Sequence, residues 1–155
     1  MHGLARATKD IDFIVDRGAA DAADAIMREI GFERLQRGEV FGNYLLGPLR
    51  VDLLFTRGAH SQRMLQRARA VSIRHATGKL VCPDDLVGLK LQALANNPDR
   101  PFDQADIKQL LERFSDTMDM ALVRDYFRLF GKEAELDAFL EAVTARSARD
   151  PDRSR

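Results

Sequence analysis

The chain has almost no cysteine and no excess charge of either sign. Cys82 is the single cysteine among 155 residues, which excludes an internal disulfide and fits a reducing compartment. Lys and Arg total 24, Asp and Glu total 24, and the formal net charge is therefore zero. Strong non-specific attraction to nucleic acid or to an anionic membrane is not expected from such a balance, although a local basic patch is compatible with it.

Long apolar runs are absent as well. No run approaches the roughly 20 residues that a membrane-spanning helix needs, and the start of the chain lacks a signal-peptide pattern. We therefore expect a soluble, cytoplasmic protein with no membrane partner. The length fits one domain, or one domain with a small appendage, and is sufficient to bury a core.

The order of predicted elements indicates an α+β fold, with a mixed sheet followed by a helical half. Hydrophobic periodicity and turn residues predict strands at 10–15, 32–36, 40–46 and 50–55, helices at 19–30 and from Ser61, short extended pieces at 71–75 and 80–81 around Thr77-Gly78, and further helices at 83–95, 103–114, 120–130 and 132–144. We expect a sheet region at 1–81, a helical region at 82–145 and a disordered tail at 146–155.

Two carboxylates interrupt the first predicted strand, in the stretch Asp10-Ile11-Asp12-Phe13. Because side chains alternate along a strand, Asp10 and Asp12 are predicted to leave the same face, one pleat apart. Like charges at that distance repel, so the arrangement calls for compensation. Two interpretations remain open: a solvated face of an exposed edge strand, or a bound cation.

A third carboxylate, Asp52, interrupts the apolar strand that is predicted at 50–55. A pair of acids on one strand and another acid on a neighbouring strand is what a two-magnesium site needs. Hard cations prefer carboxylate oxygens, and two Mg²⁺ ions can hold a nucleoside triphosphate while activating an attacking hydroxyl. A short acidic motif is weak on its own, and the third acid strengthens the metal-site interpretation.

Two charged residues occupy apolar helical stripes in the second half of the chain. Lys90 lies near the middle of the apolar sector of the helix predicted at 83–95, and Asp103 has a similar position on the next helix. A charge in such a stripe is costly unless it is paired. Lys90 could form an ion pair with Asp103 that joins the two helices, or reach a phosphate, and both can hold together. Asp106, at the edge of the stripe, is interpreted as a solvated residue or a cap.

The order of these motifs resembles the nucleotidyltransferase superfamily. Residues 6–12, RATKDID, are similar to its R-x-T-x-D-[IL]-D segment, and Asp52 falls at the position of its third carboxylate. Residues 82–91 resemble a [ST]-P-E-D-L run that leads to a lysine, and residues 103–107 resemble the D-x-x-D-[IL] that follows. The likeness covers about 6–114, and its nearest branch is the AbiEii-type toxin nucleotidyltransferases with their uncharacterised bacterial relatives.

The resemblance implies a nucleotidyltransferase-like mixed sheet with flanking helices and a metal-dependent transfer reaction. Asp10 and Asp12 would bind Mg²⁺ or Mn²⁺, and Asp52 would complete the metal site and act as, or position, the base on the acceptor hydroxyl. A nucleoside monophosphate would pass from a nucleoside triphosphate to that hydroxyl with release of pyrophosphate. The toxin branch implies a tRNA acceptor, and small-molecule modification stays open.

The same resemblance implies roles in phosphate binding. Lys90 would contact the nucleotide phosphates and Asp103 would orient Lys90, while Arg6 and Thr8 would support the turn and the phosphates. The arginine that the family carries ahead of the second helical acid is displaced, because Phe102 precedes Asp103.

One family feature is missing from the sequence, namely the Gly-Gly or Gly-Ser helix start ahead of the acidic strand, whose backbone N–H groups hold the triphosphate. We therefore expect either a weakened or inactive enzyme, or a start upstream of Met1. Loss of that helix would leave Ile11 and Phe13 available for self-association or a protein partner. The alternative function is a non-catalytic interaction or regulatory partner in a toxin–antitoxin type system.

Overall fold

A computed structural model describes residues 10–73 and 76–149, with the backbone alone for 73 and 143–149. The chain divides into two compact units between Val81 and Cys82, here called the sheet unit and the helical unit. The candidate residues Arg6 and Thr8, and positions 150–155 of the expected tail, lie outside the described residues. None of the described helices has the length and apolar character needed to cross a membrane.

The sheet unit contains a four-stranded mixed sheet and a separate two-stranded sheet, as expected for an α+β fold. Its elements are β1 (Asp10–Val15), α1 (Ala20–Glu29), β2 (Glu33–Arg37), β3 (Phe41–Leu46), β4 (Leu49–Phe55), α2 (Ala59–Arg67), β5 (Arg69–Ile73) and β6 (Ala76–Leu80). The strands of the larger sheet lie in the order β1-β4-β3-β2, with β4 parallel to β1 and antiparallel to β3.

The second sheet differs from the sequence prediction. Thr77 and Gly78, which were expected to lie between two short extended pieces, are inside β6 and pair with Ser72 and Val71 of β5. Cross-strand pairing along five registered positions has overridden the local turn preference of the Thr-Gly dipeptide.

The core of the sheet unit lies on one face of the four-stranded sheet. Alternation along β4 turns Val51, Leu53 and Phe55 to the face that α1 covers, and all three are buried with Tyr44 of β3. The intervening residues of β4 therefore point to the other face. This alternation is what places Asp52 on the opposite side of the sheet from the core.

Tyr44 links the sheet to α1 through a polar contact inside this core. Its hydroxyl donates to Asp24 Oδ1 at 2.8 Å, and Arg34 donates to both oxygens of the same carboxylate. Burial raises the pKa of Asp24, but the hydrogen bonds from Tyr44 and Arg34 outweigh it, and the pKa is lowered overall. Burial and the Asp24 carboxylate together raise the pKa of Tyr44 to about 12. Both shifts favour the bonded pair with Asp24 ionised and Tyr44 neutral.

The described residues of the helical unit form four α-helices, α3 (Pro83–Asn96), α4 (Pro101–Phe114), α5 (Met120–Leu129) and α6 (Glu133–Arg149). The positive φ of Gly131, 66°, belongs to the tight connection between α5 and α6. Residues 146–149 were expected to be disordered, and they are helical instead. No glycine or proline interrupts the chain there before Pro151, so the helix continues despite the polar composition.

The packing of α3 against α5 depends on a close approach between Gly88 and Tyr126. A Cβ atom on Gly88 would lie 2.9 Å from two ring carbons of Tyr126. The ring is held there because it is buried and because its hydroxyl donates to Asp85 Oδ1 at 2.7 Å. Asp85 is itself fully buried in the first turn of α3. Glycine at position 88 is therefore a steric requirement of this helix pair.

Replacing Gly88 tests that requirement. Gly88→Ala should lower the free energy of unfolding by roughly 1–2 kcal/mol, because overpacking costs about 1–3 kcal/mol while alanine returns up to ~1 kcal/mol of helix propensity. Urea denaturation of both proteins measures the difference. Gly78→Ala is the control, because a Cβ there meets nothing within 4 Å. Equal stability of Gly88→Ala and wild type would contradict the packing argument.

The Tyr44–Asp24 contact predicts a dependence of stability on alkaline pH. Because the pKa of Tyr44 rises from 10.0 to about 12 on folding, its contribution is complete below pH 10 and is lost as the pH approaches 12. The stability difference between wild type and Tyr44→Phe should shrink over that range, by on the order of 2 kcal/mol.

Urea unfolding at several pH values between 8 and 12 measures the stability difference between wild type and Tyr44→Phe. The other groups that titrate at alkaline pH are present in both proteins, so their effects cancel in this difference. Asp24→Asn is a second comparison that keeps the tyrosine, and its alkaline loss should be smaller than that of wild type. A constant difference between wild type and Tyr44→Phe would show that the contact does not shift the pKa.

Candidate active site

The three acids predicted from the sequence lie on one face of the four-stranded sheet. In the parallel pair of β1 and β4, Asp12 is the register partner of Asp52, and Asp10 is the partner of Arg50. Register partners in neighbouring strands share a face, and so do Asp10 and Asp12 because they are two residues apart. This is the face opposite the core, and Asp10 and Asp12 are exposed on it.

Asp52 is the most enclosed of the three acids, and one of its oxygens is held by two donors. The Asn43 amide donates to Asp52 Oδ1 at 2.7 Å, and Arg50 Nε donates to the same oxygen at 3.0 Å. The Asp52 side chain is only 19% exposed. Among the described residues no hydrogen bond is directed to its second oxygen, Oδ2. The two oxygens of this carboxylate are therefore not equivalent.

Among the described residues, Arg50 brings a positive charge to this acidic face. The hydrogen bond and the charge of Asp52 raise the pKa of Arg50, and the charges of Asp10 and Asp12 add smaller contributions in the same direction. The guanidinium thus partly neutralises the three acids. Its side chain is 49% exposed, so screening by solvent keeps this interaction modest.

The donor chemistry suits a hard cation, but the side chains are not preassembled around one. Three carboxylates on one face are the ligand type that Mg²⁺ and Mn²⁺ prefer. Across residues 10–73 and 76–149, however, no three His, Cys, Asp or Glu side chains form a group that could hold a metal ion. A cation here would require side-chain rotation and would compete with Arg50 for Asp52.

Sequence reasoning missed two residues of this site, Arg50 and Asn43. Arg50 could have been found, because it stands two residues before Asp52 in one strand and therefore shares its face. Asn43 could not, because its place beside Asp52 depends on the register between β3 and β4. No local pattern in the sequence specifies that register.

In the helical unit, Lys90 joins α3 to α4 through two ion pairs. Its ammonium lies 2.9 Å from Asp103 Oδ1 and 2.7 Å from Asp106 Oδ2. The side chains of all three residues are at most 16% exposed. The predicted ion pair between Lys90 and Asp103 is confirmed. The charge in the apolar stripe of α3 is therefore paired, which offsets the free-energy cost of burying it.

Asp106 differs from its interpretation as a solvated residue or a cap. It is 7% exposed and contacts the Lys90 ammonium, because it lies one helical turn after Asp103 on the same side of α4. Arg100 pairs with the other oxygen of Asp103, which is buried and accepts no hydrogen bond of good geometry from the described residues. The family resemblance implied an arginine directly before Asp103, where this chain has Phe102. Arg100, three residues before Asp103, supplies a positive charge instead.

The hydrogen-bond capacity of Lys90 leaves room for a further acceptor. An ammonium group has three N–H donors, and the two carboxylates accept from two of them. The two aspartates together with Lys90 and Arg100 form a cluster of zero net charge. The first role of Lys90 is thus to connect two helices, and that role is compatible with one additional contact.

The mixed α+β fold is consistent with a nucleotidyltransferase-like fold. The chain is similar to the solution structure of the antibiotic-resistance factor ANT(2'')-Ia, an aminoglycoside nucleotidyltransferase, with a TM-score of 0.57 and 11% sequence identity. The similarity covers 94% of this chain and 80% of the other. No protein-family model matches the sequence, and no curated protein matches it. At this identity the likeness concerns the fold and not the activity.

The Lys90 cluster predicts a large effect on stability. Lys90→Met should destabilise the protein by about 3–5 kcal/mol, because Asp103 and Asp106 would remain buried without the ammonium that they share. Lys108→Met is the control on the exposed side of α4 and should change stability by less than about 0.5 kcal/mol. Urea denaturation measures both variants. A Lys90→Met protein as stable as the control would contradict a structural role for the cluster.

Proposed function

We propose that this protein is a metal-dependent nucleotidyltransferase that transfers a nucleoside monophosphate from a nucleoside triphosphate to an acceptor hydroxyl. The observation that carries the proposal is the register of Asp12 with Asp52, which puts them and Asp10 on one face of a nucleotidyltransferase-like sheet. Metal-dependent nucleotide transfer uses carboxylates that can reach one ligand, and this sheet carries three on the face away from its core.

Asp10, Asp12 and Asp52 would hold Mg²⁺ or Mn²⁺. Such an ion, when bound, neutralises phosphate charge and acidifies an attacking hydroxyl. Asp10 and Asp12 are exposed and can rotate toward a ligand without breaking core packing. Asp52 would complete the site through the oxygen to which the described residues direct no hydrogen bond. Arg50 would then move from Asp52, and its guanidinium would be available to a phosphate oxygen.

The bonds and the proton of the proposed reaction are all accounted for with the residues of this chain. The acceptor oxygen forms a bond to the α-phosphorus, the bond from that phosphorus to the bridging oxygen breaks, and pyrophosphate leaves. The Asp52 carboxylate accepts the proton of the acceptor hydroxyl or orients the hydroxyl for its loss. Catalysis of this kind depends mainly on positioning and on compensation of negative charge.

In this proposal Lys90 uses its third N–H donor for a nucleotide phosphate while Asp103 keeps the ammonium oriented. Arg6 and Thr8 keep the supporting roles that the family resemblance implies. The buried ion pairs support the orienting role, because they fix the ammonium at the junction of two helices. A lysine held in this way loses little side-chain entropy when it binds a phosphate.

The chemical class of the acceptor is inferred from two resemblances and not from the geometry of the site. The motif likeness to AbiEii-type toxins favours a tRNA acceptor, whereas the likeness in fold to an antibiotic-resistance factor favours a small molecule. We adopt the tRNA-like acceptor, because the motif likeness includes the candidate site residues themselves.

Partner binding is a second candidate function, in the form of a non-catalytic member of a toxin–antitoxin type system. One observation favours it: Ile11 and Phe13 of β1 are 46% and 50% exposed, although they are on the core face of the sheet. β1 is also an edge strand of the described four-stranded sheet. An apolar edge strand is a surface on which another chain can pair.

Binding and transfer assays on carboxylate variants test the proposed function. Calorimetry with Mg²⁺ and each nucleoside triphosphate should give binding heat for wild type and none for Asp10→Asn/Asp12→Asn, because the double variant loses two of the three anionic ligands. Labelled nucleoside triphosphates, incubated with total RNA or with a small-molecule extract, should label the RNA fraction. Asp12→Asn should slow that labelling by at least about 100-fold.

The matched control is Asp116→Asn, which removes an exposed carboxylate from the helical unit and should behave as wild type. Equal heats for wild type and the double variant would remove the metal-dependent function. Label in the small-molecule fraction alone would keep the transfer activity and exclude the RNA acceptor.

A further inference from the structure

We propose that Asn43 is the positioning residue that keeps Asp52 oriented when a cation takes the place of Arg50. The inference rests on the proposed function, since it concerns how Asp52 binds that cation. Two side chains donate to Asp52 Oδ1. They come from different strands and differ in charge, length and exposure.

Arg50 is the exchangeable donor of the two. It is on the same strand as Asp52, and its long side chain is 49% exposed. Its hold on the carboxylate is an ion pair at the surface, which salt or a competing cation weakens. Because the guanidinium is positively charged, a divalent cation at Asp52 repels it. Arg50 and a metal ion therefore cannot both stay close to this carboxylate at low cost.

Asn43 is the permanent donor. It is on β3, and backbone pairing makes it the register partner of Asp52 on the neighbouring strand. Its short side chain spans that distance with a hydrogen bond of 2.7 Å. The amide is neutral, so an approaching cation does not expel it. Since an ionised carboxylate only accepts hydrogen bonds, the Asn43 nitrogen must face Asp52.

The two oxygens of the Asp52 carboxylate therefore have different partners. Asn43 retains Oδ1 as hydrogen-bond acceptor, and Oδ2 is left for the cation, so that Asp52 binds through one oxygen. Loss of an outer partner that orients a metal ligand typically costs about 10–100-fold in metal affinity. Loss of a nearby positive charge should instead raise the metal affinity, because it removes a competitor for the carboxylate. The two donors can therefore be distinguished experimentally.

Binding of Mn²⁺ alone to the full chain, measured by calorimetry or by the electron spin resonance of free Mn²⁺, tests the inference without an activity assay. Asn43→Leu should weaken Mn²⁺ binding by about tenfold. Arg50→Gln should bind Mn²⁺ at least as tightly as wild type. Gln36→Leu is the matched control, because Gln36 is the register partner of Asn43 on β2, in the same cross-strand row, and is exposed.

Melting temperatures of all variants show whether each is folded at the temperature of the titration. If Asn43→Leu does not fold, Asn43→Ala removes the same donor with a smaller side chain and carries the same expectation. Wild-type affinity in the Asn43 variant would overturn the positioning role while leaving the metal site intact. A loss in Arg50→Gln equal to that in Asn43→Leu would also overturn it. If wild type binds no Mn²⁺, the proposed function fails, and this inference fails with it.

Discussion

The parallel pairing of β1 with β4 is the constraint on which the candidate active site depends. β1 carries two acids and β4 carries one, and neither strand alone brings three carboxylates to one place. The register that makes Asp12 the partner of Asp52 does so, and it also puts Arg50 beside Asp10. Shifting this register by one residue would turn the acids of one strand to the opposite face. The apolar residues of β4 fix which way that strand faces, because Val51, Leu53 and Phe55 would lose their burial against α1 if it turned over, and Val15 of β1 packs against the same cluster.

A comparable constraint acts in the helical unit, where buried charges act together with buried apolar residues in the contact between α3 and α4. Lys90, Asp103 and Asp106 are nearly buried, so each of them is costly unless the others are present. The same chemistry recurs where Asp85 accepts from Tyr126 beside Gly88. Buried carboxylates therefore orient helices in this unit as well as compensating charge.

Much of the fold could be predicted from local patterns. The strands of the four-stranded sheet and the helices of the second half start and end close to their predicted positions, because alternation, helical periodicity and breaker residues are encoded locally. The errors have particular causes. Thr77-Gly78 is part of β6 because pairing with β5 outweighs turn preference, and α6 extends to Arg149 because polar composition alone does not end a helix. Asp106 is buried because α3 covers its side of α4.

For the candidate site, the sequence by itself determined which charged residues stand out, since Asp10, Asp12, Asp52 and Lys90 each interrupt an apolar pattern that is visible locally. Only the tertiary structure decided what those residues contact. Asn43 reaches Asp52, and Tyr44 reaches Asp24, across elements that are separated in the chain. The physical reason is that periodicity specifies the face a side chain occupies, whereas its hydrogen-bond partner depends on strand register and helix packing, which arise from the burial of the whole unit.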